Sequence, residues 1–169
     1  MNRPTAELVR DTYGRDARDR RDEAREPTTD GARAALESFY HAFNNRSLDV
    51  LDAVWAPGEL VSLNNPLGGI VRGLGEIRGI YRRIFAGPAR VWVELHDVVE
   101  YVDATSIVFA GRERGEFARD GRTPVPLAIR TSRFFQYLGP ELGWRQVHHH
   151  GSIDDAEALD RYQRAVRGA

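Results

Sequence analysis

Four stretches decide the fold: RVWVELHDVVEYV (Arg90–Val102), TSIVFAGRERGEF (Thr105–Phe117), VPLAIRTSRFFQYL (Val125–Leu138) and WRQVHHH (Trp144–His150). Each concentrates β-branched and aromatic residues. The breaks between them, such as Asp103-Ala104 and Gly139-Pro140-Glu141, are short and polar, which predicts an antiparallel meander of four strands.

The residues before the meander read as helices. Ala32, Ala35, Leu36, Phe39, Tyr40 and Phe43 recur at the spacing of one buried helical face, with Asp30 as the candidate N-cap. Leu48–Trp55 reads as a second short helix closed by Pro57-Gly58. Leu60–Leu63 reads as a short strand, followed by the turn Asn64-Asn65-Pro66-Leu67-Gly68-Gly69. Ile77, Ile80, Tyr81, Ile84 and Phe85 mark a third helix, and Leu159, Tyr162 and Val166 a last one. Helices covering one face of a curved, mainly antiparallel sheet give an α+β, cone-shaped domain that encloses a pocket.

Composition narrows the chemistry. The chain has 169 residues, enough for one domain with a sizeable core. Its cations are all arginine, and it has no cysteine. That excludes disulfides, thiolate nucleophiles, cysteine-ligated metal centres, lysine Schiff bases and the P-loop lysine. What is left is oxygen, imidazole and guanidinium chemistry. Net charge is −1 with the signs interspersed, which anticipates neither nucleic acid nor a membrane surface. No apolar run approaches the length of a membrane span, and the first residues show no secretory signal, so a cytoplasmic location is expected. Residues 1–29 read as a charged N-terminal extension, in which Arg10–Glu26 reads as a solvated helix or an arm, with Leu8, Val9 and Tyr13 available for docking.

The helix Leu36–Phe43, Trp55, the run Asn65-Pro66-Leu67-Gly68-Gly69 with Arg72-Gly73 and Glu76-Ile77, the strand Ile129–Ser132 and the ending Trp144–Ser152 together resemble the nuclear transport factor two-like superfamily. The likeness is to its SnoaL-like members and covers residues 30–153, within a domain of residues 30–169. It implies a cystatin-like cone fold, a pocket at the wide end, no cofactor, and a homodimer packed sheet to sheet. The superfamily includes ketosteroid isomerase, scytalone dehydratase, cyclases and non-catalytic association domains, so fold alone selects no function. In ketosteroid isomerase the base is the Asp of an Asp-Pro-x-Gly turn. The matching turn here is Asn65-Pro66-Leu67-Gly68, whose amide cannot take the proton. The isomerase's protonated oxyanion donor falls near Arg130.

Strict alternation along Trp144–His150 puts Trp144, Gln146, His148 and His150 on one face and Arg145, Val147 and His149 on the other. By the resemblance His148 and His150 point into the pocket, joined by Arg130, Ser132 and Phe134 from the neighbouring strand. The expected catalytic set is His148 or His150 as acid or base, with Arg130 and Tyr81 stabilising an oxyanion. Asn64, Asn65, Trp55 and Tyr40 are candidate ligand contacts, each with turn formation or core packing as its plainer explanation. A metal held by the histidine pair with His96, Glu94 or Glu113 has no supporting helical spacing, and no metal is expected. Two functions stay open. One is a cofactor-independent lyase or isomerase of dehydratase type, acting on a small carbonyl compound. The other is a non-catalytic small-ligand-binding or dimerisation module. Outward-facing Val147, Phe135 and Tyr137 are the expected dimer patch.

Overall fold

In the computed structural model, residues 5–119, 121–153 and 155–167 are described. The apolar stripe folds as α1 (Thr29–Asn44). Its N-cap is Thr28, whose Oγ1 accepts the Gly31 amide at 3.0 Å, and the expected Asp30 lies inside the first turn. Two shorter helices follow, α2 (Leu48–Val54), capped by Ser47, and α3 (Leu74–Ala86). Leu36, Phe39, Tyr40, Leu51 and Ile77 are all but fully buried beneath them. Each contributes about 1.5–3 kcal/mol by leaving water.

The four stretches fold as β4 (Ala89–Val102), β5 (Ser106–Arg119), β6 (Val125–Tyr137) and β7 (Trp144–Ser152). They pair antiparallel in sequence order. Two short strands, β2 (Ser62–Asn64) and β3 (Ile70–Arg72), extend the far edge, with β2 running parallel to β7. At the other edge β1 (Thr5–Val9) pairs antiparallel with β4, so the sheet has seven strands in the order β1-β4-β5-β6-β7-β2-β3. Within the charged extension Thr5–Val9 is therefore a strand, and in Arg10–Glu26 the one helical element is the short turn Glu23–Arg25. Of its expected anchors Tyr13 is buried against Tyr40, with ring centroids 6.4 Å apart, whereas Leu8 is 68% exposed. A last helix, α4 (Ala156–Arg167), follows β7.

The expected face assignment fails at β7 for a defined reason. Phe134 pairs with His148, but Phe135 pairs with Gln146, so Val147 is one residue too many on its strand. A β-bulge of this kind exchanges the faces on either side of it. Trp144 and Gln146 point inward before the bulge, and His149 and Gly151 point inward after it. A second irregularity, between His96 and Val99, shifts β4 in the same way and turns Val98 and Glu100 inward, where Glu100 pairs with Arg33 at 2.8 Å. On β6 the inward residues are Leu127, Ile129, Thr131, Arg133 and Phe135.

Candidate functional site

The inner face of the sheet carries an unusual load of buried polar groups. Arg133 is 1% exposed and Glu113, from β5, is 3% exposed. They form an ion pair at 2.8 Å between Nη2 and Oε1. Tyr40 of α1 closes the triangle: its hydroxyl donates to Glu113 Oε1 at 2.7 Å and accepts from Arg133 Nε at 3.0 Å. Arg133 Nη1 donates to Gln146 Oε1 at 2.9 Å, and the guanidinium carbon lies 3.6 Å from the centroid of the Phe39 ring. Burial works against the Arg133 charge, but Tyr40, Glu113 and Tyr81 outweigh it and raise the guanidinium pKa. Burial raises both Tyr40 and Tyr81 above the usual phenol range, so both stay neutral donors.

Beside this triangle lies a cavity of about 30 Å³, room for little more than a water molecule. Phe39 and Phe43 of α1, Tyr81 and Ile84 of α3 and Val93 of β4 form its apolar wall. Glu113, Ile129, Arg133 and His149 form its sheet wall, and Asn65, Pro66 and Tyr162 of α4 stand at its remaining side. Pro66 reaches this position because residue 151 is glycine: a Cβ there would come within 2.7 Å of the Pro66 ring. A larger surface hollow of about 480 Å³, between Thr28, Val102 and Trp144, is lined by neither histidine nor arginine.

His149 is the pivotal side chain. It is 4% exposed and tied through Nε2 to Thr131 Oγ1 at 2.9 Å, while its Nδ1 is buried with no hydrogen-bond partner among the described residues. Burial, followed by the charge of Arg133, pushes its pKa well below the usual imidazole value, so the ring is neutral.

The expected site residues divide accordingly. Tyr81 and Asn65 line the cavity. Asn65 also uses Oδ1 to accept the Leu67 amide at 2.7 Å, an Asx turn. Tyr40 is buried in the polar triangle, and Trp55 is buried in the core with Nε1 unpartnered. His148, His150, Arg130, Ser132 and Phe134 do not face the cavity. The bulge at Val147 and the true phase of β6 put them on the outer face of the sheet. There His148 Nδ1 lies 2.7 Å from Ser62 Oγ and His150 Nδ1 lies 3.3 Å from Asn64 Nδ2. Burial and then His150 lower the His148 pKa. Phe135, expected outside, is wholly buried, and Tyr137 donates its hydroxyl to the Arg25 carbonyl. Of the side chains that could join the histidine pair on a metal, Glu113 lies on the opposite face from His148 and His150, and His96 pairs with Glu94 at 2.9 Å.

The residues that reasoning on sequence missed are Glu113 as an inner-face group, Arg133 and His149. Arg133 shares parity with Leu127, Ile129 and Phe135, an apolar alternation that marks it as inward. For His149 the one-residue bulge leaves no such mark.

A family model described as SnoaL-like domain matches residues 32–156. The chain belongs to the SnoaL-like domain family. Its fold, a seven-stranded sheet with its helices, is the cone of the nuclear transport factor two-like proteins. Among solved structures, it is similar to a candidate calcium/calmodulin-dependent protein kinase type II association domain from Thiobacillus denitrificans. Identity there is 29%, the TM-score is 0.58, and 73% of this chain and 94% of that one are covered. A candidate dehydratase of the nuclear transport factor two-like family from Streptomyces avermitilis gives 21% identity and a TM-score of 0.68 over 76% and 97%. A ketosteroid isomerase-like protein from Erwinia carotovora gives 16% and 0.60 over 73% and 94%. The last two likenesses are of fold. No curated protein matches the chain. Among the described residues no helix is long and apolar enough to cross a membrane.

Proposed function

We propose that this SnoaL-like domain is a cofactor-independent lyase or isomerase of dehydratase type, acting on a small, neutral, mostly apolar carbonyl compound. The observation that carries the reading is His149: a buried, neutral imidazole that lines the cavity, with one nitrogen anchored on Thr131 and the other without a partner among the described residues. In the tautomer that places the proton on Nε2, donated to Thr131, the Nδ1 lone pair is a base. It takes a proton from the carbon beside the carbonyl. Tyr81 and Arg133 bear the negative charge that gathers on the carbonyl oxygen. An isomerase returns the proton at a second carbon, and a lyase expels a β-substituent. The ligand is neutral because the Arg133 charge is already matched by Glu113, leaving no cation to balance a carboxylate.

The second reading, binding without turnover, draws on Asn65. It stands where the isomerases carry their carboxylate, and its Oδ1 is occupied by the Leu67 amide. Proton–deuterium exchange at the α-carbon of a bound ketone separates the two readings, since binding alone produces none.

The proposal extends to a homodimer through the outer face of the sheet. Two cross-strand rows there, Tyr101–Val108–Phe134–His148 and Val99–Ala110–Ser132–His150, carry no Asp, Glu or Arg over four strands. An uncharged band of this extent suits a second copy related by a two-fold axis.

A further inference from the structure

A cavity of about 30 Å³ admits no carbonyl compound, so a wall must move before any ligand enters. We propose that α4 is the moving wall and that Tyr162 is the residue that shuts it. This rests on the cavity being the ligand site. The family match ends at residue 156, where α4 begins, so the helix lies beyond the shared core.

Tyr162 is 4% exposed and lines the cavity, with its ring 5.3 Å from that of Phe117. Of α4, only Tyr162 and Ala165 are buried. One side-chain hydrogen bond ties it across the turn that bears Asn65, from Gln163 Nε2 to the Leu67 carbonyl at 2.8 Å. Among the described residues its other side-chain polar contacts are its own. Asp155 Oδ1 caps the Ala158 amide, and the ion pairs Arg161–Glu157 and Arg164–Asp160 both run within the helix. A helix capped at its own N-terminus and paired within itself, which meets the body through Tyr162, Ala165 and Val166 with Tyr162 the one large buried side chain, can leave as a unit.

The chain has no cysteine, so a single thiol placed in the cavity reports opening directly. In the full chain, the Ile84→Cys thiol is exposed to a thiol-reactive disulfide reagent, with Ala35→Cys, buried in α1 away from the cavity, as the reference site. Adding Tyr162→Ala removes the plug and speeds labelling at residue 84 by about tenfold or more, while Tyr162→Phe, which keeps the ring, restores the slow rate. Labelling at residue 35 stays unchanged throughout. Equal rates at residue 84 in all three backgrounds, or a parallel rise at residue 35, overturn the proposal. The measurement uses no ligand, so its failure is separate from that of the acid–base reading.

Discussion

Arg133 and His149 stand opposite each other in the antiparallel register of β6 and β7, and both point inward. That places a permanent cation beside a buried imidazole. The cation is tolerated because Glu113 neutralises it, and the imidazole adapts by staying unprotonated.

Removing Glu113's charge therefore strands Arg133 in the core. Glu113→Gln is expected to destabilise the fold by about 3–5 kcal/mol, read as a lower midpoint in urea unfolding. Adding Arg133→Met should recover part of that loss, because a long apolar side chain needs no counter-charge. A single variant as stable as the parent would show that the pair is not the balance described.

The depressed His149 pKa predicts a pH dependence of stability. Unfolded histidine takes up a proton near pH 6.5, and native His149 does not. Below that pH the unfolded state binds the extra proton, so stability falls as pH is lowered from 7.5 to 5, by at most about 1.4 kcal/mol per pH unit. His149→Asn should flatten this part of the profile. Identical slopes in the two proteins would mean that His149 does not titrate differently on unfolding.

How much of this was legible in the sequence depends on which periodicity is asked. The helical stripes of α1 and α3 and the four long strands follow from residue spacing, because packing against one core imposes that spacing. The inward phase of β6 is marked by Leu127, Ile129 and Phe135, but the resemblance placed Arg130, Ser132 and Phe134 inside instead. His149 was not legible, because strict alternation places it opposite Gln146 and the extra residue at Val147 breaks the alternation. A bulge is a backbone event with no side-chain signature, and it moved the candidate histidine by one position. β1 was hidden for a related reason. Its residues are nearly all exposed and are held by backbone pairing, which leaves no apolar pattern.

Tyr81 is assigned a hydroxyl role beyond packing. Tyr81→Phe keeps the ring among Phe39, Phe43 and Phe85, so stability should change little. Turnover of any substrate should fall by about a hundredfold, as for loss of one oxyanion donor. Unaltered turnover would remove Tyr81 from the chemistry.

Phe134 stands half-buried in the middle of the uncharged outer band. Sedimentation equilibrium should give a dimer of the 19.1 kDa chain, and Phe134→Asp should give the monomer. A parent protein that sediments as a monomer at micromolar concentration contradicts the sheet-to-sheet pairing.

His149, and neither flanking histidine, is the proposed acid–base group. The most direct measurement follows proton–deuterium exchange at the α-carbon of small aliphatic and aromatic ketones that raise the thermal unfolding midpoint. Exchange above the buffer rate is expected in the parent protein, in His148→Ala and in His150→Ala. A loss of about 10²–10⁴-fold is expected in His149→Gln. Binding without exchange in the parent, or exchange that survives His149→Gln, would contradict this assignment.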